Sequence, residues 1–177
     1  MKQRGMTLIE LMIVLSIISI SALLAIPSFS ELFHQYYYKN AALILNKDIR
    51  FAKTTANQRK MRVSMCISID HITCLDEPSM QWHQGWIVFL DPNNNFTPTP
   101  NNILRQRPSQ HPSVYIYSSY NIQNGVQFNI GKKAGRSLGT GLANGYFMIC
   151  GQNRNAQKLI INVYGRLRKE ELMHCEN

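Results

Sequence analysis

Two arginines near the C-terminus, Arg166 and Arg168 in the run Gly165-Arg166-Leu167-Arg168-Lys169, stand two residues apart. In an extended segment that spacing puts both side chains on one side, about 6.6 to 6.8 Å apart, so the two guanidinium groups point together. A guanidinium donates a fork of two hydrogen bonds to one phosphate and stacks on flat rings. Gly165 permits a tight turn, and Leu167 is placed to anchor the strip from its other side. The chemistry of this pattern is phosphate binding. The plain alternative is a solvated strand end with a charged tail, in which Glu170 and Glu171 dilute the positive potential. A second basic cluster, Lys132, Lys133 and Arg136, lies in the Gly-rich stretch Gly131 to Gly145, read as a loop because it lacks the strand-then-helix setting of a phosphate-cradling motif. Arg154 and Lys158 extend the basic surface.

Net charge agrees with an anionic partner. The chain has 177 residues, with 19 Lys and Arg against 10 Asp and Glu, a formal charge of +9. Such a surplus favours an anionic partner such as nucleic acid or anionic lipid; the plain alternative is that the basic residues only keep the domain soluble. Catalytic chemistry has no support: no nucleophile, base and oxyanion set is recognisable, and the five histidines show no paired metal spacing. Asp91-Pro92-Asn93-Asn94-Asn95 alternates oxygen side chains as a calcium loop does, but Phe96 stands where Gly is required and Asn102 where a bidentate Glu belongs. No enzyme activity, metal or cofactor is expected.

At the other end, Glu10 sits in an otherwise apolar run. Leu11 to Ile26 carries no charge, and a lone carboxylate in such a segment costs about 2.5 to 3.5 kcal/mol at a membrane-helix centre unless partnered. An amine is the natural partner. The leader Met1-Lys2-Gln3-Arg4-Gly5 ends in Gly, and cutting after Gly5 would free the α-amino group of Met6, one helical turn from Glu10. The cut also removes Lys2 and Arg4, lowering the charge from +9 to +7. An ordinary secretory signal, cleaved near Ala22, leaves Glu10 unexplained; a plain single-pass anchor explains the length of Met6 to Ile26 but not the carboxylate.

The run Gly5-Met6-Thr7-Leu8-Ile9-Glu10-Leu11-Met12-Ile13-Val14-Leu15 resembles the class III signal of type IV pilins and type II secretion pseudopilins, with Met6 where most of that family has Phe. The resemblance implies cleavage after Gly5 by a prepilin peptidase, methylation of the new N-terminus, and assembly with other pilins through Glu10. Three further segments, Trp82 to Asp91, Phe147 to Cys150 and Ile161 to Arg166, are similar to the H-type pseudopilin and FimT-type minor pilin family. The Gly165-Arg166-x-Arg168 motif resembles the signature that accompanies DNA binding in the FimT-type branch. From the resemblance follow a type IV pilin fold, a minor pilin that takes up extracellular DNA in natural transformation, and backbone-directed contacts of low sequence specificity. Its position would be single-pass in the inner membrane with a periplasmic domain before assembly, and at the cell surface in the pilus afterwards. The alternative is a priming or tip subunit of a pilus or secretion pseudopilus that touches no DNA.

The elements that must hold these groups are legible as periodicity. Residues 1–5 form the leader, 6–27 a transmembrane and assembly helix, 28–60 its amphipathic continuation, and 61–177 a β-rich domain. Phe29, Leu32, Phe33, Tyr36, Tyr37, Leu43, Leu45, Ile49, Ala52 and Ala56 recur at helical steps, and Pro27 is expected to kink or restart the helix. Tyr36-Tyr37-Tyr38 is assigned to packing in preference to base stacking. After Lys60 the period changes to two: 62–69, 85–90, 114–120, 125–130, 145–150 and 158–164 read as strands, antiparallel by their short Asn, Gly and Pro connections. The fold class is therefore α+β, a long helix on an antiparallel sheet domain. Cys66, Cys74, Cys150 and Cys175 allow three pairings; proximity in sequence favours Cys66 with Cys74 and Cys150 with Cys175.

Overall fold

The computed structural model describes residues 6–129, 134–137, 144–151, 156–172 and 174–175, with the side chains of 23–30 and 134–137 outside that description. Helix α1 spans Leu8–Arg59. Thr7 caps its start and Lys60, at φ 53° in the left-handed region, ends it. The helix is continuous through Pro27, so the expected restart there does not occur.

Its two halves differ in what they cover. From Met6 to Ile20 every large apolar side chain, among them Leu8, Leu11, Ile13, Leu15 and Ile18, is exposed. Such an unbroken apolar surface needs a partner outside the chain. Among the described residues no helix is long and apolar enough to cross a membrane; residues 23–30 hold the end of the apolar run. The second half carries Tyr38, Ala41, Ala42, Leu45, Ile49, Ala52 and Ala56, all buried at three- and four-residue steps. The alanines keep this stripe low, and the β domain packs directly on it.

The domain is built from two antiparallel sheets. The strands in chain order are β1 (Val63–Ile67), β2 (Trp86–Leu90), β3 (Ile103–Arg107), β4 (Val114–Ser118), β5 (Gly125–Phe128), β6 (Ala134–Ser137), β7 (Gly145–Gly151), β8 (Ala156–Ile161) and β9 (Leu167–Leu172). One sheet runs β3-β2-β1-β5-β6 and the other β4-β7-β8-β9. Both contribute to one core with α1: Val63, Met65 and Val88 from the first, Ile116, Phe147, Ile149 and Leu159 from the second, around Trp82 and Trp86. Three strands go beyond the sequence reading. β3 was not expected, β6 falls inside the stretch read as a loop, and β9 turns the charged tail into a paired edge strand. Ile69, the last residue of the first expected strand, 62–69, lies beyond the end of β1 and is exposed. The tyrosine triplet divides: Tyr38 is buried, Tyr37 stacks on His111 with centroids 3.9 Å apart, and Tyr36 is exposed.

Both disulfides take the pairing that sequence proximity favours, Cys66–Cys74 and Cys150–Cys175. The first closes a small loop over the outer face of the five-stranded sheet, where Cys66, Ile87, Phe89 and Phe96 form a separate apolar cluster. The second ties the residues after β9 to β7. Asp91 is buried on that same outer face and accepts hydrogen bonds from Ser64, Gln127 and the backbone N–H of Asn95 and Phe96, so its loop folds around its own carboxylate.

One buried charge fastens the helix to the five-stranded sheet. Asp48 on α1 is fully buried. It accepts from Arg105 Nη1 at 2.6 Å, from Arg107 Nε at 2.7 Å and Nη2 at 3.0 Å, and from Trp86 Nε1 at 3.1 Å. The Arg105 guanidinium also lies 3.6 Å above the centroid of the Phe51 ring. Burial pushes the Asp48 carboxyl up, but the hydrogen bonds of Arg107 and Arg105, the Arg107 charge and the Trp86 N–H outweigh it and hold the group below its ordinary value of 3.8. A folded value that is depressed contributes stability above the ordinary value and loses it as pH falls through the folded one. Asp48→Asn is therefore expected to cost about 3 kcal/mol at neutral pH. The same variant should flatten the loss of stability with acid below pH 3.8, measured by denaturant unfolding across pH.

Candidate nucleic-acid interface

Arg166 and Arg168 are carried by the hairpin of β8 and β9. Its turn is organised by Asn162. The Asn162 carbonyl accepts from Gly165 N at 2.7 Å, and its side-chain Oδ1 accepts from the N–H groups of Tyr164 and Arg166, both at 3.0 Å. Asn162 N in turn donates to Arg166 O at 3.2 Å, which carries the ladder to the end of the hairpin. Asn opening a four-residue turn and Gly closing it is the arrangement its side chains favour. Gly165 has φ +64°, which L side chains rarely adopt.

A lysine from the helix clasps this turn. Lys53 Nζ donates to Tyr164 O at 2.9 Å and to Gly165 O at 3.0 Å. A Cβ on Gly165 would come within 3.3 Å of Lys53 Cδ, so the glycine also makes room for the clasp. Between helix and turn lies an open cleft of about 480 Å³ lined by Arg50, Lys53, Thr54, Gly165, Arg166 and Leu167. Arg50 is held by Asn46 Oδ1 at 2.7 Å. Sequence reasoning did not assign Arg50 or Lys53 to this site. They stand more than a hundred residues away in the chain, and only the packing of α1 on the second sheet brings them here.

Arg166 and Arg168 are both exposed, and neither guanidinium has a protein partner among the described residues. Arg168 sits opposite Ile160 and, by the ladder's alternation, faces away from α1. Leu167 does act as the anchor: it packs on the main core from the opposite side. Lys169 does not share the side of Arg168. It faces the helix, pairs with Glu171 Oε1 at 2.9 Å, and shares a groove with Gln35, Tyr38 and Lys39. Both members of that pair are exposed, so the bond is weak and screened by salt. Burial, with the Glu171 charge nearby, pushes the Tyr38 phenol up to about 12. Lys132, Lys133 and Arg154 lie outside the described residues. Arg136 is on β6, an edge strand of the other sheet, and its side chain is outside the description. Of the second basic cluster, the one described position, Arg136, thus belongs to a different sheet from this hairpin.

At the N-terminal end, Glu10 and Thr7 form a capping box. Glu10 Oε2 accepts from Thr7 N at 2.9 Å and Thr7 Oγ1 at 3.0 Å, and Glu10 N donates to Thr7 Oγ1 at 3.4 Å. Met6 immediately precedes the cap and is exposed; Gly5 lies outside the described residues.

Residues 41–165 match the family described as type II transport protein GspH, and residues 1–26 match the prokaryotic N-terminal methylation motif. No curated protein matches the chain. Two crystal structures of the type IV minor pilin FimU of Pseudomonas aeruginosa (strain PAO1) share the fold at 15% identity. One has a TM-score of 0.59 over 80% of this chain and 97% of that one; the other has 0.55 over 78% and 99%. The α+β architecture is thus that of type IV pilins.

The clasp gives a direct expectation. Gly165→Ala forces a side chain into the left-handed region, at about 1–2 kcal/mol, and crowds Lys53. In amide hydrogen exchange this variant, like Lys53→Met, should lose protection at Gly165 and Arg166 while the amides of β1 and β2 keep theirs.

Proposed function

The chain belongs to the type II transport protein GspH family, whose members are minor pilins and pseudopilins, and we propose that this one binds DNA through the β8–β9 hairpin for uptake in natural transformation. The observation that carries the reading is the pair of exposed guanidinium groups of Arg166 and Arg168, neither with a partner among the described residues. They project from a turn fixed by Asn162, Gly165 and Lys53, in a chain of charge +9. The cations of Arg50 and Lys53 line the adjoining cleft. A backbone-directed patch of this size meets a few phosphates and reads no sequence, so affinity is modest and falls steeply with salt. Several copies in one pilus raise it by avidity.

Family membership gives assembly with other pilins. We infer further that a prepilin peptidase cuts after Gly5 and frees the Met6 amine, which then lies one residue before the capping box and within a turn of Glu10. The exposed apolar surface from Met6 to Ile20 serves twice, in the inner membrane before assembly and against neighbouring helices after it. A second reading, a priming or tip subunit of a pilus or secretion pseudopilus without DNA contact, is favoured by Leu32, Phe33 and Tyr36. These stand exposed together on α1 beyond the apolar N-terminal run and suit subunit packing without any ligand.

The two readings part on one measurement. In gel-shift titrations of the detergent-solubilised chain with duplex DNA, Arg166→Gln/Arg168→Gln should weaken binding by about tenfold or more at low salt. It should also reduce the slope of log affinity against log salt by about 2, one for each lost phosphate contact. A parent that does not retard DNA leaves the structural reading; a double variant that binds as the parent does removes the hairpin as the DNA site.

A further inference from the structure

We propose that the face of the β4-β7-β8-β9 sheet turned away from α1 stacks the unpaired bases of single-stranded DNA, with Lys158 and Arg168 meeting its phosphates. This rests on the DNA-binding reading of the hairpin and extends it to a neighbouring surface and a strand state. The register defines the face. Tyr115 and Tyr117 on β4 lie opposite Cys150 and Met148; Met148 lies opposite Lys158; Tyr146 lies opposite Ile160, which lies opposite Arg168. Residues directly opposite in an antiparallel ladder share a face, so these side chains all stand on one side. The other side carries Ile116, Phe147, Ile149 and Leu159 and is covered by α1.

Tyrosines on this face are exposed where a sheet normally places small or charged groups: Tyr115 44%, Tyr117 38% and Tyr146 37%. The Tyr115 and Tyr117 rings are parallel within 5°, with centroids 6.3 Å apart. The His83 ring meets both edge-on at 5.3 and 5.6 Å, and its Nδ1 lies 3.3 Å from Ile116 O, which fixes the ring beside them. Across the sheet, Lys158 Nζ lies 4.2 Å above the Tyr146 ring. Ring faces with a cation beside them are what a single strand requires, because every base has a π face and every nucleotide a phosphate. Sheet surfaces bearing such rings stack bases in the same way. From β4 to β9 is three strand spacings, about 14 Å, so the rings and Arg168 lie within reach of one short strand. Among the described residues the carboxylate on this face is Glu170, opposite Lys158; Leu172 and Cys175 pack over Met148, Cys150 and Ala156, and the tyrosines stay exposed beside them. A duplex, with its bases stacked on one another, can use the cations but not the rings.

The test uses the detergent-solubilised full chain and fluorescence anisotropy with three probes at low salt: an oligothymidine, an abasic strand with the same number of phosphates, and a duplex of the same length. The parent should bind oligothymidine more tightly than the abasic strand. Tyr115→Leu/Tyr117→Leu should weaken oligothymidine binding by about tenfold and leave duplex binding unchanged. Tyr115→Phe/Tyr117→Phe keeps the rings and should bind as the parent does, which separates stacking from loss of fold. Equal affinity of the parent for oligothymidine and the abasic strand, or undiminished binding by the leucine variant, overturns the stacking face while leaving duplex binding through Arg166 and Arg168 standing. A parent that binds none of the probes removes both readings. A leucine variant that binds oligothymidine normally but fails to enter pili assigns the face to a neighbouring pilin and overturns the proposal.

Discussion

The domain depends on the second half of α1 being shared by two sheets that do not pair with each other along their strands. The stripe from Tyr38 to Ala56 is the common wall of the core, and each sheet is fastened to it by polar bonds as well as by apolar burial. On the five-stranded side the fastening is Asp48, whose two carboxylate oxygens are filled by Arg105, Arg107 and the Trp86 N–H. On the four-stranded side it is Lys53, which donates to the carbonyls of the β8–β9 turn. The two residues are five apart, so a little more than one turn of helix serves both sheets. Apolar packing alone would allow either sheet to slide along a stripe rich in alanine; directional bonds to buried or turn-bound acceptors set the register.

How much of this was legible in the sequence follows from how each element meets water. The second half of the helix announced itself because one face is buried and its apolar residues recur at helical steps. Strands β1, β2, β4, β5, β7 and β8 were legible because they are rich in β-branched and aromatic residues, and in β4 the alternation is complete. The strands that escaped are those whose side chains serve another purpose. β3 reads Ile-Leu-Arg-Gln-Arg because both of its arginines belong to Asp48, a partner invisible until the helix is laid on the sheet. β6, Ala-Gly-Arg-Ser, has little β propensity and pairs at an edge. β9, Leu-Arg-Lys-Glu-Glu-Leu, is an edge strand whose charges discourage pairing with another chain and so mask it as a solvated tail.

The candidate site was half legible for the same reason. Gly165, Arg166 and Arg168 are local, and their spacing carried the chemistry; the Asn162 turn is equally local and could have been read from Asn-Val-Tyr-Gly. Lys53 and Arg50 could not, since nothing in a helical repeat marks which polar residue on its flank will meet a turn more than a hundred residues later. Lys169 shows the opposite error. Adjacency in sequence placed it with Arg168, whereas strand alternation sends it to the other side of the sheet, toward Glu171 and the helix.

The bonds around the hairpin also make a mechanical path. A pull along the strands, applied at Arg166 or Arg168, loads β9 in shear, with the whole β8–β9 ladder resisting at once rather than one bond after another. At one end the turn is held to α1 by Lys53; just beyond the other, Cys175 is covalently joined to β7. Force therefore passes from the turn directly into α1 through Lys53, and the edge strand, ordinarily the first to peel away, is held near both of its ends.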